Sequence, residues 1–136
     1  MTHEYVNPSE LARPSGYSHA VSAAPGQTVY LAGQTALSPD GRIVGGGTNP
    51  DVVVQFEQCL SNLLKALWAS GGGPEHLVST RIYLVDVDGY RRRSAEIGAV
   101  WRRLIGARFP AMAAIGVARL WDADALVEIE GVAVID

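Results

Sequence analysis

The sequence predicts an α+β domain in which two helices cover one face of a mixed sheet, and three observations lead there. Extended apolar runs and helical stripes alternate in the order strand, strand, helix, strand, helix, strand, strand over 136 residues, the length of one domain. Each helical segment carries a single apolar stripe and stops at glycine. Several strands, such as 77–85 and 126–135, are apolar on both sides, yet two helices can cover only one face of a sheet. The second face is therefore expected to be buried against other copies of the chain in a closed homo-oligomer.

Taken in order, residues 1–14 read as a mobile lead-in to a single domain spanning 1–136. Residues 16–22 form a first strand, bounded by Ala24-Pro25-Gly26, and 27–35 a second. Gly33, late in that second strand, marks a bulge or a close approach to the backbone. Ser38-Pro39-Asp40-Gly41 is a turn. Thr48 or Asn49 is the expected cap of the first helix, with Pro50 in its first turn. Its stripe is Val52, Val53, Phe56, Leu60, Leu63, Leu64 and Leu67, and Gly71-Gly72-Gly73-Pro74 ends it.

Residues 77–85 form the third strand, and Asp86 or Asp88 caps a second helix with the stripe Tyr90, Ile97, Val100, Trp101, Leu104 and Ile105 before Gly106. The terminal stretch, 109–136, reads as two extended runs around the polar turn Trp121-Asp122-Ala123-Asp124, an antiparallel hairpin. Strand parity places Met112, Ala114, Gly116 and Ala118 on one face, opposite Ala113, Ile115, Val117 and Arg119. On the last strand Leu126, Glu128, Glu130, Val132 and Val134 point together, so two carboxylates share an otherwise apolar face.

Composition removes several classes of function. A net charge of −3 gives no general attraction to nucleic acid or anionic membrane. No basic leader with an apolar segment opens the chain and no apolar run is long enough to span a bilayer, which makes a cytoplasmic location the default expectation. Cys59 has no partner for an internal disulfide and sits among Leu60, Leu63 and Leu64 as a small hydrophobe. The glycine runs at 45–47 and 71–73 lack the lysine and the strand-to-helix spacing of phosphate loops. His3, His19 and His76 are scattered without paired-ligand spacing, so no metal is expected. Arg91, Arg92 and Arg93 spread around a helix instead of forming a stripe, and with Arg102, Arg103 and Arg108 they read as a solvated face, RNA contact being the weakest reading. Glu128 and Glu130 are candidates for acid and base, or for a surface or interface ion pair.

Gly16-Tyr17-Ser18-His19-Ala20-Val21, Val29-Tyr30-Leu31-Ala32-Gly33-Gln34, Phe109-Pro110-Ala111, Val117-Ala118-Arg119-Leu120 and Glu128-Ile129-Glu130-Gly131-Val132-Ala133-Val134 resemble, in order and spacing, the RidA (YjgF/YER057c/UK114) family over about residues 14–135. The resemblance implies a chorismate-mutase-like α+β fold and a homotrimer around a central barrel of sheets, with ligand clefts at the subunit interfaces. It also implies cofactor-free hydrolysis of reactive enamines and imines to 2-oxo acids and ammonia. In such members an arginine after Pro-Ala grips the substrate carboxylate. Here Met112 stands at that position, Ala114 replaces a common cysteine, and Ala95 falls near a usual polar residue of the second helix. Tyr17, Gly33 and the glutamate at 128 are retained.

The resemblance thus assigns Glu128 to water activation, the backbone around Gly33 and Ala114 to hydrogen bonding and Tyr17 to closing the cleft. Arg81 on the third strand is the candidate stand-in for the missing arginine. Methionine and alanines imply a roomier, more apolar pocket, and so a ligand larger or less acidic than 2-aminoacrylate. The rival reading is a non-catalytic ligand-binding or chaperone-like trimer on the same scaffold.

Overall fold

The computed structural model describes residues 2–136. Strands β1 (Glu4–Val6), β2 (Ala20–Ser22) and β3 (Gln27–Gln34) precede helix α1 (Val52–Ala69) and strand β4 (Leu77–Leu84). Helices α2 (Val87–Arg92) and α3 (Ser94–Leu104) then lead to β5 (Ala111–Gly116) and β6 (Val127–Ile135). The main sheet has the order β3-β6-β4-β5, and β1 pairs with β2 in a separate ribbon. The fold is therefore α+β with a mixed sheet, as the element pattern implies.

The terminal hairpin does not form. Strand β5 runs parallel to β4, and β6 inserts antiparallel between β3 and β4, so β5 and β6 are not neighbours. The reason lies in the connections. The α2–α3 crossover returns the chain to the starting end of β4, which makes β5 parallel. Residues 117–126 then form a link far longer than a tight hairpin turn, long enough to carry the chain past β4. Buried Gln55 pins that link: its amide donates to the carbonyls of Gly45 (3.1 Å) and Asp124 (3.0 Å), and its Oε1 accepts from the Leu126 N–H (2.8 Å).

Helix α1 is capped by Asp51, not Thr48 or Asn49. Asp51 Oδ1 accepts from the N–H groups of Val53 (2.9 Å) and Val54 (3.1 Å), and Pro50 lies before the cap instead of in the first turn. Gly71, at φ +93°, supplies the left-handed residue after the helix end. The expected second helix is broken in two at Arg93, after Asp86 caps its first half through the Gly89 N–H (2.9 Å). The expected lead-in carries β1, and buried His3 fastens it: Nδ1 accepts from the Ala24 N–H and Nε2 donates to the Val134 carbonyl, both at 3.0 Å.

The core lies between α1 and the sheet. Phe56, Cys59, Leu60, Leu63, Leu64 and Leu67 pack on Leu31, Ile82, Leu84, Val127, Ile129 and Ala133. Burial pushes the Cys59 thiol pKa up, as expected of a packing residue. Much of the opposite sheet face lies open among the described residues; Tyr30 on β3 is 82% exposed there. Among the described residues no helix is long and apolar enough to cross a membrane.

Candidate functional site

Parity on β6 turns Val127, Ile129 and Ala133 into the core and leaves Glu128 and Glu130 on the uncovered face. On β4 the same rule brings Arg81 and Tyr83 to that face, where Arg81 is opposite Glu130 and Tyr83 opposite Glu128. The Tyr83 hydroxyl donates to Glu130 Oε1 at 2.5 Å, and Arg81 Nη1 stands 3.6 Å from the same oxygen. The Glu130 hydrogen bond holds the Tyr83 phenol above its ordinary pKa. Arg81 is thus already paired, through Glu130.

Glu128 lies against Gly33. The register of β3 on β6 shifts between Leu31 and Gln34, the bulge expected of a late-strand glycine. A Cβ built at Gly33 falls 3.1 Å from Glu128 Cδ and 3.3 Å from Cγ, and collides with Oε1. Only glycine leaves room for this carboxylate. Burial raises the Glu128 pKa, with the neighbouring Glu130 and Asp122 charges adding to the effect. A half-buried carboxyl of raised proton affinity, beside a second carboxylate, is suited to taking and returning a proton.

Tyr17, Met112 and Ala114 occupy a different place. Met112 pairs with Thr80 and Ala114 with Ile82, residues that face the helices, so both point away from Glu128. They line a cavity of about 590 Å³ between β5 and α3, together with Tyr17 and Ala95. Its deep wall is aromatic: Trp101 stacks on Phe109 at 5.6 Å between centroids, and Phe56 meets Tyr90 edge-on at 6.0 Å. Within one chain the expected site residues therefore form two groups, Glu128 with Gly33 and Arg81 on one sheet face, and Tyr17 with Met112 and Ala114 on the other.

Sequence reasoning missed Tyr83 and the aromatic wall. Tyr83 had a signal, its i+2 relation to Arg81 on one strand. The wall had none, because α1, α2, α3 and the segment before β5 each contribute to it. Among the described residues no three His, Cys, Asp or Glu side chains come together as a metal site would need.

The endoribonuclease L-PSP family model matches residues 8–135. The chain belongs to the RidA/YjgF family. A RutC family protein of Synechocystis sp. is 35% identical over 136 residues, covering 99% of this chain and 98% of that one. The 2-iminobutanoate/2-iminopropanoate deaminase of Mus musculus is 34% identical over 119 residues, 87% of this chain and 80% of its own. Among solved structures, a Rid protein of unknown function from Yersinia pestis superposes with a TM-score of 0.86 at 33% identity, covering 99% of this chain and all of the other. In this RidA-family chain, then, Glu128 and Gly33 are in contact, while Met112 on the other sheet face opens into the aromatic-walled cavity.

Proposed function

We propose that this protein hydrolyses enamines or imines of a non-standard, more apolar kind, without a cofactor, in clefts between the subunits of a homotrimer. The observation that carries the reading is the Glu128 carboxylate seated over Gly33 with its proton affinity raised by burial. The mouse relative named as an imine deaminase supports the reaction class. Interface clefts are supported by the division of the site: Glu128 and the Met112 cavity lie on opposite faces of one sheet, so a ligand touching both takes them from two subunits.

In this reading an enamine first gains a proton on carbon and loses one from nitrogen to become the imine. Glu128 then takes a proton from water as the water oxygen bonds to the C=N carbon, and the proton passes to nitrogen. Collapse of the carbinolamine sends its hydroxyl proton to nitrogen as the C–N bond breaks, releasing ammonia and leaving the 2-oxo product. Backbone groups near Gly33 and Ala114 orient the substrate, and Tyr17 closes the cleft.

The test is release of 2-oxo acid from imines made in situ by an amino-acid oxidase. Wild-type protein is expected to accelerate it and Glu128→Gln to lower kcat by roughly a hundredfold or more. Full activity in Glu128→Gln overturns the assignment. Met112 in place of a charged partner favours one second reading, a trimer that binds carboxylates or indoles without turnover, and ligand binding with no imine hydrolysis would select it.

A further inference from the structure

The Met112 cavity is not without charge. Ser94, Gly98 and Arg102 follow one another at four-residue intervals along α3, so they share one face of that helix, and all three line the cavity. Glycine in a helix interior is destabilising relative to alanine, and Gly98 has no left-handed φ to require it. What needs the space is Arg102. A Cβ built at Gly98 falls 3.3 Å from Arg102 Nη1 and 4.0 Å from Cζ, so the guanidinium lies along the helix where a side chain at 98 would stand.

Several other arginines are occupied, including the two that flank Arg102 along the helices, Arg93 and Arg103. Arg81 pairs with Glu130, Arg93 with Glu96 and Asp51, and Arg103 with Glu57. Arg102, among the described residues, has neither an acidic partner nor a hydrogen-bond acceptor. It is also the one charged side chain among the residues lining this cavity. An unpaired guanidinium at the rim of an aromatic-walled pocket is complementary to a ligand with a carboxylate at one end and a bulky apolar body at the other.

We propose that Arg102 is the carboxylate-binding residue of this site, and that the site takes 2-imino or 2-oxo acids with aromatic or branched side chains. The carboxylate meets Arg102 and Ser94 at the rim, and the side chain fills the space beside Met112, Phe109 and Trp101. This rests on the hydrolase reading above for its choice of imino acids, and it moves the anion contact from strand β5 to helix α3. The loss of charge at 112 and the continued need for an anion partner are then one adjustment.

The test titrates the full-length protein calorimetrically with phenylpyruvate, with pyruvate, and with phenylacetone, which keeps the ring and ketone but lacks the carboxylate. Phenylpyruvate is expected to bind tenfold or more tightly than either of the others. Arg102→Gln should weaken phenylpyruvate about tenfold to a hundredfold, the range of a charged hydrogen bond, and leave phenylacetone unchanged. Arg102→Lys should recover part of the loss, and Arg103→Gln, whose residue is tied to Glu57, should change nothing. Equal affinity of wild type and Arg102→Gln for phenylpyruvate overturns the proposal. Turnover separates it from the reading beneath it. If phenylalanine-derived imine is hydrolysed by wild type and Arg102→Gln with the same KM, the hydrolase reading stands and Arg102 is dismissed. If no imine is hydrolysed but phenylpyruvate binding still depends on Arg102, the binding site stands and the hydrolase reading falls.

Discussion

Replacing Gly33 by alanine isolates the contact on which the proposed chemistry depends. The backbone at 33 has no positive φ, so alanine fits the strand conformation without strain. The new methyl meets the Glu128 side chain: Cδ at 3.1 Å and Cγ at 3.3 Å are both inside ordinary van der Waals contact, and Oε1 is closer still. A half-exposed glutamate can swing aside, so the fold survives while the carboxylate moves. Relief of that clash takes a displacement of about 1 Å at the oxygen, and a misplacement of that size costs roughly a hundredfold in rate. Gly33→Ala is therefore expected to lower kcat for imine hydrolysis about a hundredfold while its thermal midpoint stays within about 4 °C of wild type, the shift that roughly 1 kcal/mol produces in a domain of this size. The measurement is 2-oxo acid release with oxidase-generated imines, beside a melting curve. Activity within threefold of wild type in a folded Gly33→Ala protein would refute the placement of Glu128 as the working carboxylate.

Four further outcomes follow from the structure. Because Glu128 has its pKa raised in the fold, the folded state holds its proton more tightly than the unfolded chain, so this residue's contribution falls as pH rises from the ordinary carboxyl value of 4.5 through the raised value. Glu128→Gln should accordingly be at least as stable as wild type at pH 7 and show no advantage at pH 3, by melting curves at both. Glu130→Gln removes a charge that raises the Glu128 pKa, so the acid limb of the kcat/KM profile should move to lower pH. Met112→Arg should gain hydrolysis of small imines, such as that of alanine, in the oxidase-coupled assay; no gain would show that the scaffold lacks the rest of that chemistry. Leu63→Ala, at a fully buried site under the sheet, should cost about 2 to 5 kcal/mol by urea denaturation.

Much of this architecture is legible in the sequence because alternation and helical periodicity are local. The stripe from Phe56 to Leu67, the common face of Glu128 and Glu130, and the bulge at Gly33 all follow from residues within one element. Strand neighbours are not local. Nothing in the apolar run 111–116 distinguishes a partner in β6 from one in β4, and the hairpin reading failed there because the crossover through α2 and α3 settles strand direction. The cap of α1 was misplaced for a related reason: several residues before it can cap, and only the turn at Gly45 and Gly46 decides that Asp51 arrives in position. Arg102 was hidden by its company. Read as one of a cluster of arginines it is a solvated charge, and it becomes distinct only when the ion pairs of Arg93 and Arg103 and the gap at Gly98 are known.

The division of the site bears on assembly. One sheet face carries the carboxylates and the other carries the cavity, and a strand's side chains cannot reach both faces. If a single small molecule is to meet Glu128 and Arg102 together, another copy of the chain must supply one of them. The open face offers a surface for such a neighbour: Tyr30, a large aromatic, is 82% exposed on the same face as Arg81, Tyr83, Glu128 and Glu130. Tyr30→Glu is expected to reduce the particle mass measured by light scattering and to abolish imine hydrolysis at once, with circular dichroism unchanged. A wild-type protein that is monomeric at micromolar concentration, yet active, would require the two halves to meet within one chain, which the sheet forbids, and the composite site would have to be given up.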